Sequence, residues 1–208
     1  IQADMDNDGV GSFIMNDTND VIEGINGFST NINITAASII AGSFDVQNES
    51  HITGGDISLT ATNGDIQIAN VTTLANSTAA GNITLEATGA ISVSGTIDGS
   101  SGNSNNTGTI VDIDAGGAIT LGDVTVTGFN GAGSLDINTI GGVVIVNSLS
   151  ATAAPNGSGG TITILGDSFT ATSNVSANYS GGGTNNGGAV TITTNNDIII
   201  GGVLNTST

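Results

Sequence analysis

The 208-residue chain contains no lysine and no arginine. Without a fixed cation it cannot neutralise the phosphates of a nucleic acid, so nucleic acid is excluded as a partner. The same absence rules out electrostatic coating of an anionic membrane and a side-chain clamp on a substrate phosphate. Cysteine is also absent, so no disulfide staples the fold and the redox compartment leaves no mark on the sequence. No apolar run reaches the ~18 residues that a membrane span needs. No segment reads as a basic-then-apolar signal, and membrane insertion is not expected. Helix signals are missing as well, since no window combines a 3.6-residue period with caps.

What is present points to β-structure. Eighteen acidic residues give a formal charge of −18, yet 37% of the chain is hydrophobic. With a slightly positive mean hydropathy, it is not a disordered acidic tail. Glycine is abundant at 33, proline occurs once and aromatics make up 3%, a composition suited to closely stacked β-turns.

An apolar-x-apolar triplet recurs along the chain: Ile32-x-Ile34, Ile57-x-Leu59, Ile83-x-Leu85, Val111-x-Ile113, Leu135-x-Ile137, Ile162-x-Ile164 and Val190-x-Ile192. Successive starts differ by 25, 26, 28, 24, 27 and 28 residues. Eight or nine residues later most repeats carry a second triplet: Ile66-x-Ile68, Ile91-x-Val93, Ile119-x-Leu121, Val143-x-Ile145 and Ile198-x-Ile200. A shorter third apolar stretch follows at Val71, Ile97, Val124, Leu149, Val175 and Val203. Period-two alternation means strands that bury one face. Strands of three to five residues cannot make a useful hairpin sheet. Stacked as coils, each pairs with its equivalent one turn later and buries Ile and Val ladders. An antiparallel sandwich also shows short, regular strands, but it lacks a repeating three-strand register.

The expected fold is therefore all-β: a right-handed parallel β-helix (β-solenoid) of about eight coils, each of about 26 residues with three short strands. Residues 1–27 are expected to form an irregular first coil, in which Phe13-x-Met15 and Val21-Ile22 lie eight apart like the later pairs. Residues 28–208 are expected to form the regular coils of the same continuous domain. Polar inserts at residues 99–108, 153–160 and 181–188 all precede a first strand, so they should line one edge. Neither end reads as a polar cap. Val203 would begin a third strand and Ile1-Gln2-Ala3 would finish one, so self-association by end-to-end stacking, or continuation within a giant chain, is expected.

The runs Gly55-Asp-Ile-Ser-Leu-Thr-Ala-Thr-Asn-Gly-Asp-Ile-Gln-Ile68 and Gly81-Asn-Ile-Thr-Leu-Glu-Ala-Thr-Gly-Ala-Ile-Ser-Val93 resemble coils of filamentous-haemagglutinin-type bacterial exoproteins. That resemblance implies a right-handed β-helix, an extracellular or bacterial cell-surface location and a place in a fibre or adhesin. It supplies no catalytic residues.

Two acidic groups are candidate sites. Asp4-Met-Asp6-Asn-Asp8-Gly9 places alternate carboxylates around a tight turn, as hard cations require. Met15 stands where an EF-hand would have glutamate, and Asp17 or Asp20 could close the shell. The expected metal set is thus Asp4, Asp6, Asp8, Asp17 and Asp20, holding Ca2+. Aligning the coils puts Glu86, Asp112, Asp114 and Asp136 on one outward face, with Asp112 over Asp136. Two carboxylates ~5 Å apart are the spacing of a retaining glycosidase. With no Lys or Arg, and the one histidine, His51, elsewhere, catalysis is not expected. A solvated or cation-bridged face is the expected reading. The alternative to a purely structural role is a carbohydrate- or receptor-binding module using the long-loop edge, where Asn178 and Tyr179 could meet a surface polysaccharide.

Overall fold

The computed structural model describes residues 1, 3, 10–17, 19–24, 30–46, 54–75, 79–102, 108–154, 157–179 and 186–207. Among these residues there is no helix. Two short strands come first, β1 (Phe13–Ile14) and β2 (Val21–Glu23). The next two windings carry three each: β3 (Ile32–Ala36), β4 (Ile39–Ile40) and β5 (Ser43–Asp45), then β6 (Ile57–Ala61), β7 (Ile66–Ile68) and β8 (Asn70–Thr72). In the middle the second and third strands fuse. The pairs there are β9 (Ile83–Ala87) with β10 (Ile91–Asp98), β11 (Ile110–Ala115) with β12 (Ile119–Thr125), and β13 (Ser134–Thr139) with β14 (Val143–Ser150). Three strands return in β15 (Thr161–Gly166), β16 (Ser168–Ala171) and β17 (Val175–Ser176), and again in β18 (Ala189–Thr194), β19 (Ile198–Ile200) and β20 (Leu204–Asn205).

Every strand pairs in parallel with its equivalent one winding away. β3, β6, β9, β11, β13, β15 and β18 form a 7-stranded sheet. The other strands form a 13-stranded sheet, whose main path runs β1-β4-β7-β10-β12-β14-β16-β19. The molecule is a β-solenoid, and the seven rungs from β3 to β18 enclose six full turns.

The first-triplet register is the one the repeat spacing predicts. Ile32 pairs with Ile57, Ile57 with Ile83, Ile83 with Val111, Val111 with Leu135, Leu135 with Ile162 and Ile162 with Val190. These side chains point inward, and Ile57, Leu59, Ile83, Leu85, Val111 and Ile113 are fully buried. Burying an aliphatic side chain of this size contributes about 1.5–3 kcal/mol. A three- to six-residue strand is held in place by that stacked column rather than by any partner within its own winding.

A second column makes the stacking possible at the corner before each first strand. Gly55, Gly81, Gly133 and Gly160 each stand two residues before the first buried residue of their strand, and Gly188 stands two before the half-buried Val190. A Cβ on Gly81 would overlap the carbonyl oxygen of Gly55, and one on Gly160 that of Gly133. The backbone of one winding thus sits in the space that a side chain of the next would need. Beside this corner, Asn and Asp side chains stitch the windings. Asp56 N donates to Asn31 Oδ1 (2.9 Å), Asn82 N to Asp56 Oδ1 (2.7 Å) and Ile110 N to Asn82 Oδ1 (3.1 Å).

Five details depart from the sequence reading. Ile119 pairs with Val144, not Val143, so Val143 and Ile145 face outward. Four consecutive β-branched residues carry no alternation to set the phase. The turn before them takes an extra residue, using Gly141 at φ +75 and leaving Ile140 86% exposed. Val175 likewise pairs with Leu204 rather than Val203. Phe13 pairs with Ile39 and Ile22 with Phe44, so these strands occupy the second and third positions of a winding. Ile1 and Ala3 lie in the first position, not the third: Thr35 N donates to Ile1 O, and Ala3 N to Thr35 O. Finally, β10 and β14 run for 8 residues each through the corner between second and third strands, where the register of β10 on β12 shifts between Val93 and Thr96.

Candidate functional site

Outward residues of the first sheet stack as regularly as inward ones. Thr84 pairs with Asp112 and Asp112 with Asp136, while Glu86 pairs with Asp114 and Asp114 with Asn138. Four carboxylates therefore share one face across three adjacent rungs, at the ~4.8 Å strand spacing. Glu86, Asp114 and Asp136 are exposed, and Asp112, enclosed by them, is half-buried. Burial pushes the Asp112 carboxyl above the usual carboxylate range, and the charges of Asp114, Asp136 and Glu86 push it further the same way.

The face borders a shallow depression of about 390 Å³ at the turn into the second strand, lined by Glu86, Thr88, Asp114, Gly116, Asn138 and Ile140. Asn138 Oδ1 is buried without a hydrogen-bond partner. The depression thus presents acceptors, two of them charged, beside the exposed aliphatic surface of Ile140. It suits hydrogen-bond donors and cations and repels anions. The sequence alignment located the four carboxylates. It missed Ile140, whose only signal is an aliphatic residue directly before the Gly141-Gly142 pair.

Of the expected metal set, Asp17 and Asp20 fall among the described residues. Asp4, Asp6 and Asp8 lie outside the described residues, as does His51. Asp17 and Asp20 are exposed. Asp17 Oδ1 accepts from Asn19 N and Asn19 Nδ2, both at 2.9 Å, and Asp20 N donates to Asp17 O (3.1 Å), which closes a local turn. Among the described residues no three His, Cys, Asp or Glu side chains are grouped to hold a metal ion.

The long-loop edge is where the spacing put it, between a third strand and the next first strand. Its described ends are themselves stacked, with Ala75 bridging Ser101, Gly131 bridging Ser158 and Ala153 bridging Tyr179. Tyr179 is only 4% exposed and packs into the stack, so it is not the surface contact the sequence suggested. Its backbone bridges Ala153, one winding earlier. Asn178 Oδ1 accepts from Thr152 Oγ1 (2.8 Å), a further stitch between windings.

No family model, curated protein or solved structure matches this chain.

Proposed function

We propose that this chain is a non-catalytic structural module of an extracellular or cell-surface bacterial fibre or adhesin. Counting the N-terminal strands, it is a right-handed solenoid of eight coils, the hand that parallel crossover connections favour. Such a module would stack end to end with further coils, from a second copy or within a longer chain. The observation that carries this reading is the stack itself: seven first-sheet strands pair in parallel and in register over a continuous column of buried Ile, Leu and Val. The resemblance to filamentous-haemagglutinin-type exoproteins supports the location, and the Asp-rich loop (Asp4, Asp6, Asp8, Asp17 and Asp20) would take up Ca2+. Electron microscopy of the purified chain tests the proposal. Filaments with an axial repeat near ~38 Å, eight rungs at the strand spacing, are expected. Particles of a single short length at every concentration would sink it.

One observation favours a second reading, a carbohydrate-binding surface. Ile140 beside Glu86, Asp114 and Asn138 pairs an apolar ledge with acceptors, as a sugar's C–H face and hydroxyls require. Glycan-array binding that disappears in Ile140→Ser would establish this role.

A further inference from the structure

We propose that Glu86, Asp112, Asp114 and Asp136 form a protonation switch that tightens the solenoid when its surroundings turn mildly acidic. The inference concerns the isolated rod and does not depend on end-to-end stacking.

Folded proteins commonly weaken in acid because carboxylates lose cationic partners and the chain becomes a polycation. Neither liability exists here. With no lysine or arginine there is no ion pair to a basic side chain other than His51, and protonating all 18 acids leaves only His51 and the terminal amine charged. The native state also has a specific reason to welcome protons. Asp112 is paired rung to rung with Asp136, and Asp114 with Glu86, on backbones fixed by five- and six-residue ladders. These charges cannot move apart without breaking strand pairing, whereas in the unfolded chain they separate freely.

The groups facing Asp112 offer no compensation. β9 presents Thr84 and Glu86, β11 itself presents Asp114, and β13 presents Asp136 and Asn138. The amine of Ile1 is bonded to Asn33 O, three rungs along the same column. That is ~14 Å away, beyond the ~8 Å screening length at physiological salt. His51 lies outside the described residues.

The sign follows from the direction of the shift. Asp112 is raised in the folded state, so its stabilising contribution is complete below its unfolded pKa and is lost as pH rises through the folded value. The gain is therefore confined to the window between neutrality and the ordinary carboxylate value of about 3.9.

Thermal melts of the intact chain at fixed ionic strength between about pH 7 and pH 4.5 provide the test. The melting temperature should rise by at least about 3 °C on acidification. The variant Glu86→Gln/Asp112→Asn/Asp114→Asn/Asp136→Asn should melt higher at neutral pH and stay flat. A wild-type melting temperature that falls or holds level overturns the proposal, as does a variant that rises as far as the wild type. If that variant does not fold, carboxyl-carbon NMR titration of the wild type decides instead. Asp112 titrating above the ordinary aspartate value supports the switch, and Asp112 at or below that value overturns it.

Discussion

Thr109 donates its hydroxyl to the carbonyl oxygen of Gly81, one winding earlier, and so replaces the glycine that neighbouring windings carry at this corner. Thr73 Oγ1 donates to the same oxygen at 2.8 Å. Thr73 is fully buried and Thr109 almost so. The backbone oxygen that elsewhere tucks under a glycine is here satisfied by two side chains.

Removing either hydroxyl should therefore be tolerated better than removing both. Thr109→Val and Thr73→Val should each cost about 1 kcal/mol. The double variant should cost more than the sum, because only then is a buried carbonyl left without its partners. Urea denaturation of the four proteins gives the coupling; strict additivity would contradict the shared acceptor.

Gly133→Ala should destabilise by about 1–3 kcal/mol, since its Cβ would overlap the carbonyl oxygen of Thr109 and push two windings apart. Gly141→Ala meets nothing within 4 Å and should lose only the strain of φ +75, about 1–2 kcal/mol. Low-salt and high-salt melts should rank the two alike, with Gly133→Ala the worse. The reverse order would refute the close-approach account.

The shifted register of β14 has a direct check. Val144→Ala removes a fully buried side chain and should cost roughly 1–3 kcal/mol. Val143→Ala and Ile145→Ala trim outward side chains and should stay within about 0.5 kcal/mol of the parent. Equal losses at positions 143 and 144 would mean that the strand slides between registers.

Salt should stabilise this protein. Going from about 0.01 M to 0.15 M shortens the screening length from about 30 Å to 8 Å, which weakens repulsion between Asp112 and Asp136. With no basic side chain but His51, there is almost no attraction for salt to screen in compensation. The melting temperature should climb with sodium chloride, less steeply in Asp112→Asn/Asp136→Asn. A flat response would show that the stacked carboxylates do not govern stability.

Much of this architecture was legible because the signal is repeated rather than strong. Any one triplet, such as Ile57-x-Leu59, is ambiguous alone; six more at near-constant spacing set the first-sheet register and, with it, the acidic face. Legibility failed where a local pattern had no phase. Val143 to Val146 offers four equivalent branched residues, and Val203-Leu204 offers two. Which of them turns inward is decided by turn length, here by Gly141, and turn length has no fixed composition. Tyr179 was misplaced for a related reason. It follows Asn178 before a glycine-rich insert and reads as loop, yet a single bridge to Ala153 carries it into the stack. The Asp-rich loop has no repeat partner at all, so no alignment of windings bears on it.

Among the described residues, each strand pairs only with strands of the winding before and the winding after. Tension applied through the chain ends therefore never loads the whole core at once. The terminal rung peels first, then its neighbour, in steps of about 26 residues that each release close to ~90 Å of chain. Such a rod would yield by gradual unspooling, absorbing work over a long extension instead of snapping at one threshold.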